Sequence, residues 1–216
     1  MIKALKDISY NSKLFRGSRR NQLRRRGEKE LLPWAKRGFP FPPPHIVKQY
    51  YLRSLAKEHS LDCLVETGTY LGDMVFALEP YFSLIHSIEV DKTLFKNAKI
   101  RLAQSKNIVL HQGDSGSVLE HVLSLVDEPC LVWLDGHYSG KGTGMLDCTT
   151  PIIKELHAIK AYSQVHSVIA IDDMHCFNGT NGYPSKADLI EISEECGFSF
   201  LAEKANILTL LLEKDR

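Results

Sequence analysis

The chain has 216 residues, 44% of them hydrophobic and 25% charged, with a formal net charge of +1, which is enough apolar sequence for one globular domain with a sizeable core. No apolar run reaches the roughly 18 residues of a membrane-spanning helix, and the first thirty residues are too polar to hold the core of a signal peptide. Five cysteines, odd in number and widely spaced, exclude both a disulfide framework and a C-x-x-C zinc pattern, so a reducing, cytoplasmic setting is expected.

The small net charge hides an asymmetry. Residues 1–37 carry twelve Lys or Arg against three Asp or Glu, whereas the remainder carries 15 against 23. Arg19, Arg20, Arg24, Arg25 and Arg26 stand without an aromatic partner among them for base stacking. The first reading of this tail is a solvated arm or a helix lying on the domain. Nucleic acid or an anionic membrane surface, with the protein peripheral to it, is the alternative. Residues 38–44, Gly-Phe-Pro-Phe-Pro-Pro-Pro, cannot continue a helix and read as a stiff extended connector. The predicted division is therefore a basic extension over 1–44 and a folded domain over 45–216.

A helix is predicted from His45 to about Glu58, with Ile46, Val47, Tyr50, Tyr51 and Leu55 at helical spacing. A first strand ends in Val65-Glu-Thr-Gly-Thr-Tyr-Leu-Gly-Asp73, and a helix follows it. The second strand closes on Glu89, and Asp91 is placed to cap the next helix. The third strand, from Ile108, leads into Gln112-Gly-Asp-Ser115 and another helix. The fourth, Cys130–Leu134, ends in Asp135-Gly-His-Tyr138. A glycine-rich stretch from Ser139 to about Thr150 reads as a lid. A helix opens after Pro151, a fifth strand at Val168–Ile171 runs into Asp172-Asp173, and a last helix follows Pro184. Two closing runs around Asn206 read as a hairpin. Strands that alternate with helices predict an α/β, Rossmann-like doubly wound, mostly parallel sheet of seven strands, with an antiparallel hairpin at the C-terminus.

Strand, glycine turn and helix together present backbone N–H groups and a helix N-terminus to a nucleotide-like ligand. Glu89, about twenty residues beyond Gly68, is placed for a ribose diol. The spacing Gly68-x-Tyr70-x-Gly72 departs from the dinucleotide pattern G-x-G-x-x-G. It resembles the first motif of class I S-adenosylmethionine-dependent methyltransferases of the catechol type. That resemblance implies a loop of Thr67, Gly68, Thr69, Tyr70 and Gly72, with Glu66 before it, around the methionine end of the cofactor. It places Asp114 and Ser115 at the adenine.

Asp135, Asp172 and Asp173 stand at the ends of neighbouring strands. Three hard oxygen ligands of this kind suit Mg²⁺ or another divalent cation. The same triple resembles the metal-dependent catechol-type and macrocin-type O-methyltransferases, with Asp135 touching both cofactor and metal. The resemblance covers roughly residues 45–212. It implies methyl transfer to a hydroxyl of a small molecule or glycan, chelated and acidified by the metal. The lysine that the catechol enzymes place three residues after the strand-four aspartate is replaced by Tyr138, so His137, Lys141 and His175 are the candidate bases. A homodimer is compatible with this reading. An RNA-directed methyltransferase guided by the arginine tail, and a non-enzymatic binding module on the same fold, are the rival readings.

Overall fold

A computed structural model describes residues 13–136, 150–162 and 167–212. Seven strands form one sheet in the order β3-β2-β1-β4-β5-β7-β6. They are β1 (Cys63–Thr67), β2 (Leu84–Glu89), β3 (Ile108–Gln112), β4 (Cys130–Leu134), β5 (Val168–Ile171), β6 (Phe198–Lys204) and β7 (Ile207–Leu212). The first five pair in parallel, whereas β7 lies antiparallel to both β5 and β6. The helices are α1 (Lys13–Lys36), α2 (His45–Glu58), α3 (Asp73–Leu78), α4 (Lys92–Arg101), α5 (Ser115–Leu123), α6 (Ile152–Ala161) and α7 (Lys186–Glu195). The predicted doubly wound sheet with its C-terminal hairpin is the fold observed.

Alternate residues of each strand feed two cores. Cys63, Val65, Val132, Ile169 and Ile171 pack against α5, α6 and α7 on one face. Leu64, Leu131, Trp133 and Ala170 pack against α2 and α3 on the other. Because β1, β4 and β5 are buried on both faces, their sequences read as unbroken apolar runs. The chain reverses direction across the sheet between β1 and β4, so the carboxyl ends of these two strands flank the crevice where an open α/β sheet binds its ligands.

The basic segment 13–36 is a helix lying on the domain. Gly27 lets α1 approach α2 closely, since a Cβ there would stand 2.9 Å from Ile46 Cβ. Tyr50 donates to Glu28 at 2.9 Å. Arg20 lies over the Phe76 ring at 4.6 Å and pairs with Glu79. The helix runs through Pro33 and ends at Lys36, just before the segment 38–44 that was expected to stop it. Gly38, with φ +80, ends it: the Gly38 and Phe39 N–H groups donate to the Ala35 and Trp34 carbonyls at 3.0 and 3.3 Å, and Trp34 Nε1 donates to the Pro40 carbonyl at 2.8 Å, so residues 38–41 fold back on the helix end where an extended connector was expected. No helix among the described residues is long and apolar enough to cross a membrane.

Candidate active site

The turn after β1 is built by backbone constraint. Gly68 has φ +85, and a Cβ there would overlap the Asp135 carbonyl oxygen and lie 3.2 Å from Gly136 Cα. Only glycine satisfies both the left-handed backbone and that close approach. The N–H groups of Gly68 and Thr69 both donate to the Ile88 carbonyl, at 2.9 and 3.1 Å, tying the turn to β2. Tyr70 follows with φ +49, and its N–H donates to Glu89 Oε2 at 2.6 Å. Gly72, also left-handed, caps α3. The other Glu89 oxygen accepts from the Asp91 N–H at 2.9 Å. Glu89 is thus aimed along the turn by two backbone donors, and each oxygen keeps a lone pair for a ligand hydroxyl.

Glu66 lies beneath the turn, 1% exposed. Its carboxyl accepts from the Ser87 hydroxyl, which also meets Thr69 Oγ1 at 2.6 Å. Burial pushes its pKa up to about 8, so below that pH it is a neutral carboxylic acid supporting the turn. Thr67 Oγ1 accepts from the Asp135 and Gly136 N–H groups, at 3.3 and 3.1 Å, which staples the end of β4 to the end of β1. Asp114 is the N-cap of α5: it accepts from the Gly116 N–H at 3.2 Å and the Ser117 hydroxyl at 3.0 Å. Ser115 is buried, its Oγ 3.2 Å from where a Cβ on Gly136 would stand. All ten residues expected at the cofactor are described. Gly68, Thr69, Tyr70, Gly72, Glu89 and Asp135 stand at the carboxyl ends of β1, β2 and β4 with Glu66 and Thr67 buried beneath them, and Asp114 and Ser115 open the helix beside them.

The ends of β4 and β5 hold a cation that the sequence reading did not foresee. Lys48, in the first turns of α2, hydrogen-bonds Asp172 Oδ2 and lies 3.1 Å from Asp173 Oδ1. Its side chain is 12% exposed and that of Asp172 is 0%. Burial would lower the pKa of Lys48, but the carboxylates of Asp172, Asp173 and Asp135 outweigh it and raise it, so the ammonium is held. Burial and the Asp172 charge hold Asp135 well above the usual carboxylate range. Asp172 Oδ1 accepts from the Asp173 N–H at 2.7 Å, and Asp173 Oδ1 also accepts from Asn206 Nδ2 at 3.2 Å. Three oxygens of the pair are therefore engaged within the protein. Among the described residues, no group of three His, Cys, Asp or Glu is arranged to hold a metal ion. With Lys48 in place, these donors fit an ammonium and do not fit Mg²⁺.

His175 follows on a short 3-10 turn and stacks on Phe41 with ring centroids 6.0 Å apart. Phe41, 62% exposed, brings the Pro-rich segment to the rim of the site. The other two candidate bases, His137 and Lys141, and the lid segment 139–149 lie outside the described residues.

Lys48, Asn206 and Phe41 were missed as site residues. Lys48 did carry a signal. It falls four and seven places before Leu52 and Leu55, on the stripe of α2 that is buried, and a lysine there requires a counter-charge. Asn206 reads from sequence only as a hairpin turn residue, and Phe41 only as part of a connector.

No family model matches this sequence, and no curated protein matches it. Solved structures do. An O-methyltransferase from Bacillus cereus, in complex with SAH, aligns with a TM-score of 0.58 at 13% identity, over 87% of this chain and 90% of that one. TomG from Streptomyces achromogenes, an O-methyltransferase involved in tomaymycin synthesis and in complex with SAM, aligns with a TM-score of 0.54 at 16% identity, over 86% and 88%. NodS from Bradyrhizobium japonicum, an N-methyltransferase in complex with SAH, aligns with a TM-score of 0.55 at 13% identity, over 77% and 86%. The chain has the class I methyltransferase fold, which these proteins share.

Proposed function

We propose that the protein is an S-adenosylmethionine-dependent methyltransferase acting on a hydroxyl of a small molecule or glycan. The observation that carries this reading is the coupling of Tyr70 and Glu89. A glycine turn at the end of β1 hydrogen-bonds directly to a buried acid at the end of β2, which is how this fold type presents a loop to an adenosyl ligand and a carboxylate to its ribose. The close backbone contact of Gly68 with Asp135, which only a glycine allows, brings the β4 end against the same turn.

Glu89 would accept the ribose hydroxyls, and the backbone from Thr67 to Tyr70 would line the methionine end above neutral Glu66. Asp114, already spent on capping α5, would reach the adenine only through its remaining lone pairs, with Ser115 beside it. S-adenosylmethionine, when bound, supplies an electrophilic methyl group whose C–S electron pair stays on sulfur. An acceptor hydroxyl must lose its proton as its oxygen takes the methyl, and Asp135, an acid made more basic by burial and by Asp172, is placed to receive it. The choice of a hydroxyl as acceptor follows the resemblance to the catechol-type enzymes. The divalent cation implied by the resemblance is not carried into this reading, because Lys48 already satisfies Asp172 and Asp173.

The test is a thermal-shift comparison with S-adenosylhomocysteine and with NAD. Saturation at about 100 times the dissociation constant stabilises by about 2.7 kcal/mol, a rise in Tm of several degrees. The expected result is a rise with S-adenosylhomocysteine alone. A rise with NAD alone, or with neither, overturns the reading.

A further inference from the structure

We propose that Lys48 is the resident cation of the site: its ammonium occupies the place between Asp172 and Asp173 where the resemblance puts a divalent ion, so the site works without taking one up. That a methyl acceptor binds beside the carboxylate pair rests on the methyltransferase reading above; that the pair is filled by Lys48 does not.

Three observations carry the proposal. The first is the contact itself, which joins residues 124 and 125 positions apart in the chain. The second is rigidity. Ile46, Leu52 and Leu55 are buried around Lys48 on α2, Gly27 of α1 is pressed against Ile46, and Tyr51 of the same helix bonds Thr209 of β7 at 2.8 Å. The helix is held by α1 before the lysine and by the sheet after it, so the ammonium cannot leave without α2 moving or the side chain swinging out past its packed stem. The third is the spending of lone pairs. Asp172 Oδ1 serves the Asp173 N–H, Asp172 Oδ2 serves Lys48, and Asp173 Oδ1 serves both Lys48 and Asn206. A dication would have to break these bonds and sit beside a fixed positive charge.

An ammonium carries three N–H donors. The two carboxylates take two, and the third is available to an acceptor oxygen. Lys48 is thus a positioning residue for an electron-rich substrate atom, supplying by one fixed charge the orientation that a metal supplies by chelation.

The experiment is a Mn²⁺ titration followed by the electron paramagnetic resonance of the free ion. It uses the wild-type chain, Asp172→Asn, Lys48→Met, Lys48→Arg and the double variant Lys48→Met/Asp172→Asn. Methionine keeps the packed stem and removes the charge, while arginine keeps the charge. Wild type and Lys48→Arg are expected to leave the signal of millimolar Mn²⁺ unchanged. Lys48→Met is expected to bind one Mn²⁺ saturably, and Asp172→Asn in that background to abolish the binding. Saturable Mn²⁺ binding by the wild-type chain that disappears in Asp172→Asn overturns the proposal, and this arm does not depend on any Lys48 variant folding. A folded Lys48→Met chain that gains no Mn²⁺ overturns it as well. S-adenosylhomocysteine thermal shifts run on the same samples separate the two readings, since their loss with the Mn²⁺ pattern intact refutes the methyltransferase and leaves the resident cation standing.

Discussion

Asn206 grips His175 at two points. Its Oδ1 accepts from the His175 backbone N–H at 2.9 Å, and its Nδ2 meets the ring Nδ1 at 2.8 Å. The backbone donor fixes which end of the amide is oxygen, so the nitrogen faces the imidazole and Nδ1 must be the bare, accepting atom. The ring proton of neutral His175 then sits on Nε2, which faces Cys176 Sγ at 3.6 Å. As a general base, the role expected from sequence, it has no free lone pair in this arrangement.

Two measurements follow from that grip. Nitrogen-detected NMR of the imidazole is expected to show the Nε2–H form in the wild type, and an Nδ1–H form refutes the assignment. Asn206→Ala is expected to cost about 2 kcal/mol, because it removes the acceptor of the part-buried His175 N–H and a bond to the Asp173 carboxylate. In a chain of this size that lowers Tm by about 4–8 °C. An unchanged Tm shows that the amide is not holding the turn.

Gly68→Ala tests the contact with Asp135. A side chain there meets the Asp135 carbonyl and must adopt φ +85, so the end of β4 has to retreat from the turn. The expected cost is about 2 kcal/mol or more, with a larger proportional loss of S-adenosylhomocysteine affinity than of stability, read by calorimetry on the folded fraction. Unchanged affinity would place the ligand elsewhere.

His86 and His111 sit side by side on β2 and β3, with His86 Nδ1 2.9 Å from His111 Nε2 and the rings stacked. Burial, then the neighbouring His111, pushes His86 down to about 4. The unfolded chain takes up this proton near pH 6.5 and the folded chain does not, so the contribution is complete above 6.5 and is lost as pH falls toward 4. Between pH 7 and 5 the expected loss is about 2 kcal/mol, read as a lower urea midpoint. His86→Gln is expected to flatten that slope, and an equal slope in the variant removes His86 as its source.

Glu66 gives the opposite slope. Burial raises its pKa to about 8 from an ordinary value of 4.5. Its contribution is therefore whole below about 4.5 and is lost as pH rises through 8. The loss is on the order of 5 kcal/mol by pH 9. Glu66→Gln, which keeps an acceptor for Ser87 and has no charge to bury, is expected to be more stable than the wild type at pH 9. A variant less stable at that pH would show that the ionised acid is the native form.

Much of this was legible in the sequence, for physical reasons. Cys130–Leu134 and Val168–Ile171 are apolar on both faces because the centre of a parallel sheet has no solvent side. Glu66, Glu89, Asp135 and Asp172 stood out because each breaks such a run at its carboxyl end. Asp91 was legible as a cap, and it does accept from the Thr93 and Leu94 N–H groups. The partner of Asp172 was not legible, since the lysine lies 124 positions away on a helix whose rotation only the packing fixes. Three acids without that lysine read as a metal site; with it they hold an ammonium. Asn206 was hidden in the same way, a turn residue in the chain and a clamp on His175 in the fold.

The central claim is that the Gly68 turn and Glu89 hold an adenosyl ligand. Titration calorimetry of S-adenosylhomocysteine into the wild-type chain and into Glu89→Ala tests it most directly, with Tm measured on both without ligand. One-site binding is expected for the wild type, with at least a tenfold loss of affinity, about 1.4 kcal/mol or more, in a variant that still folds. No binding by the wild type, or equal binding by both chains, would contradict it.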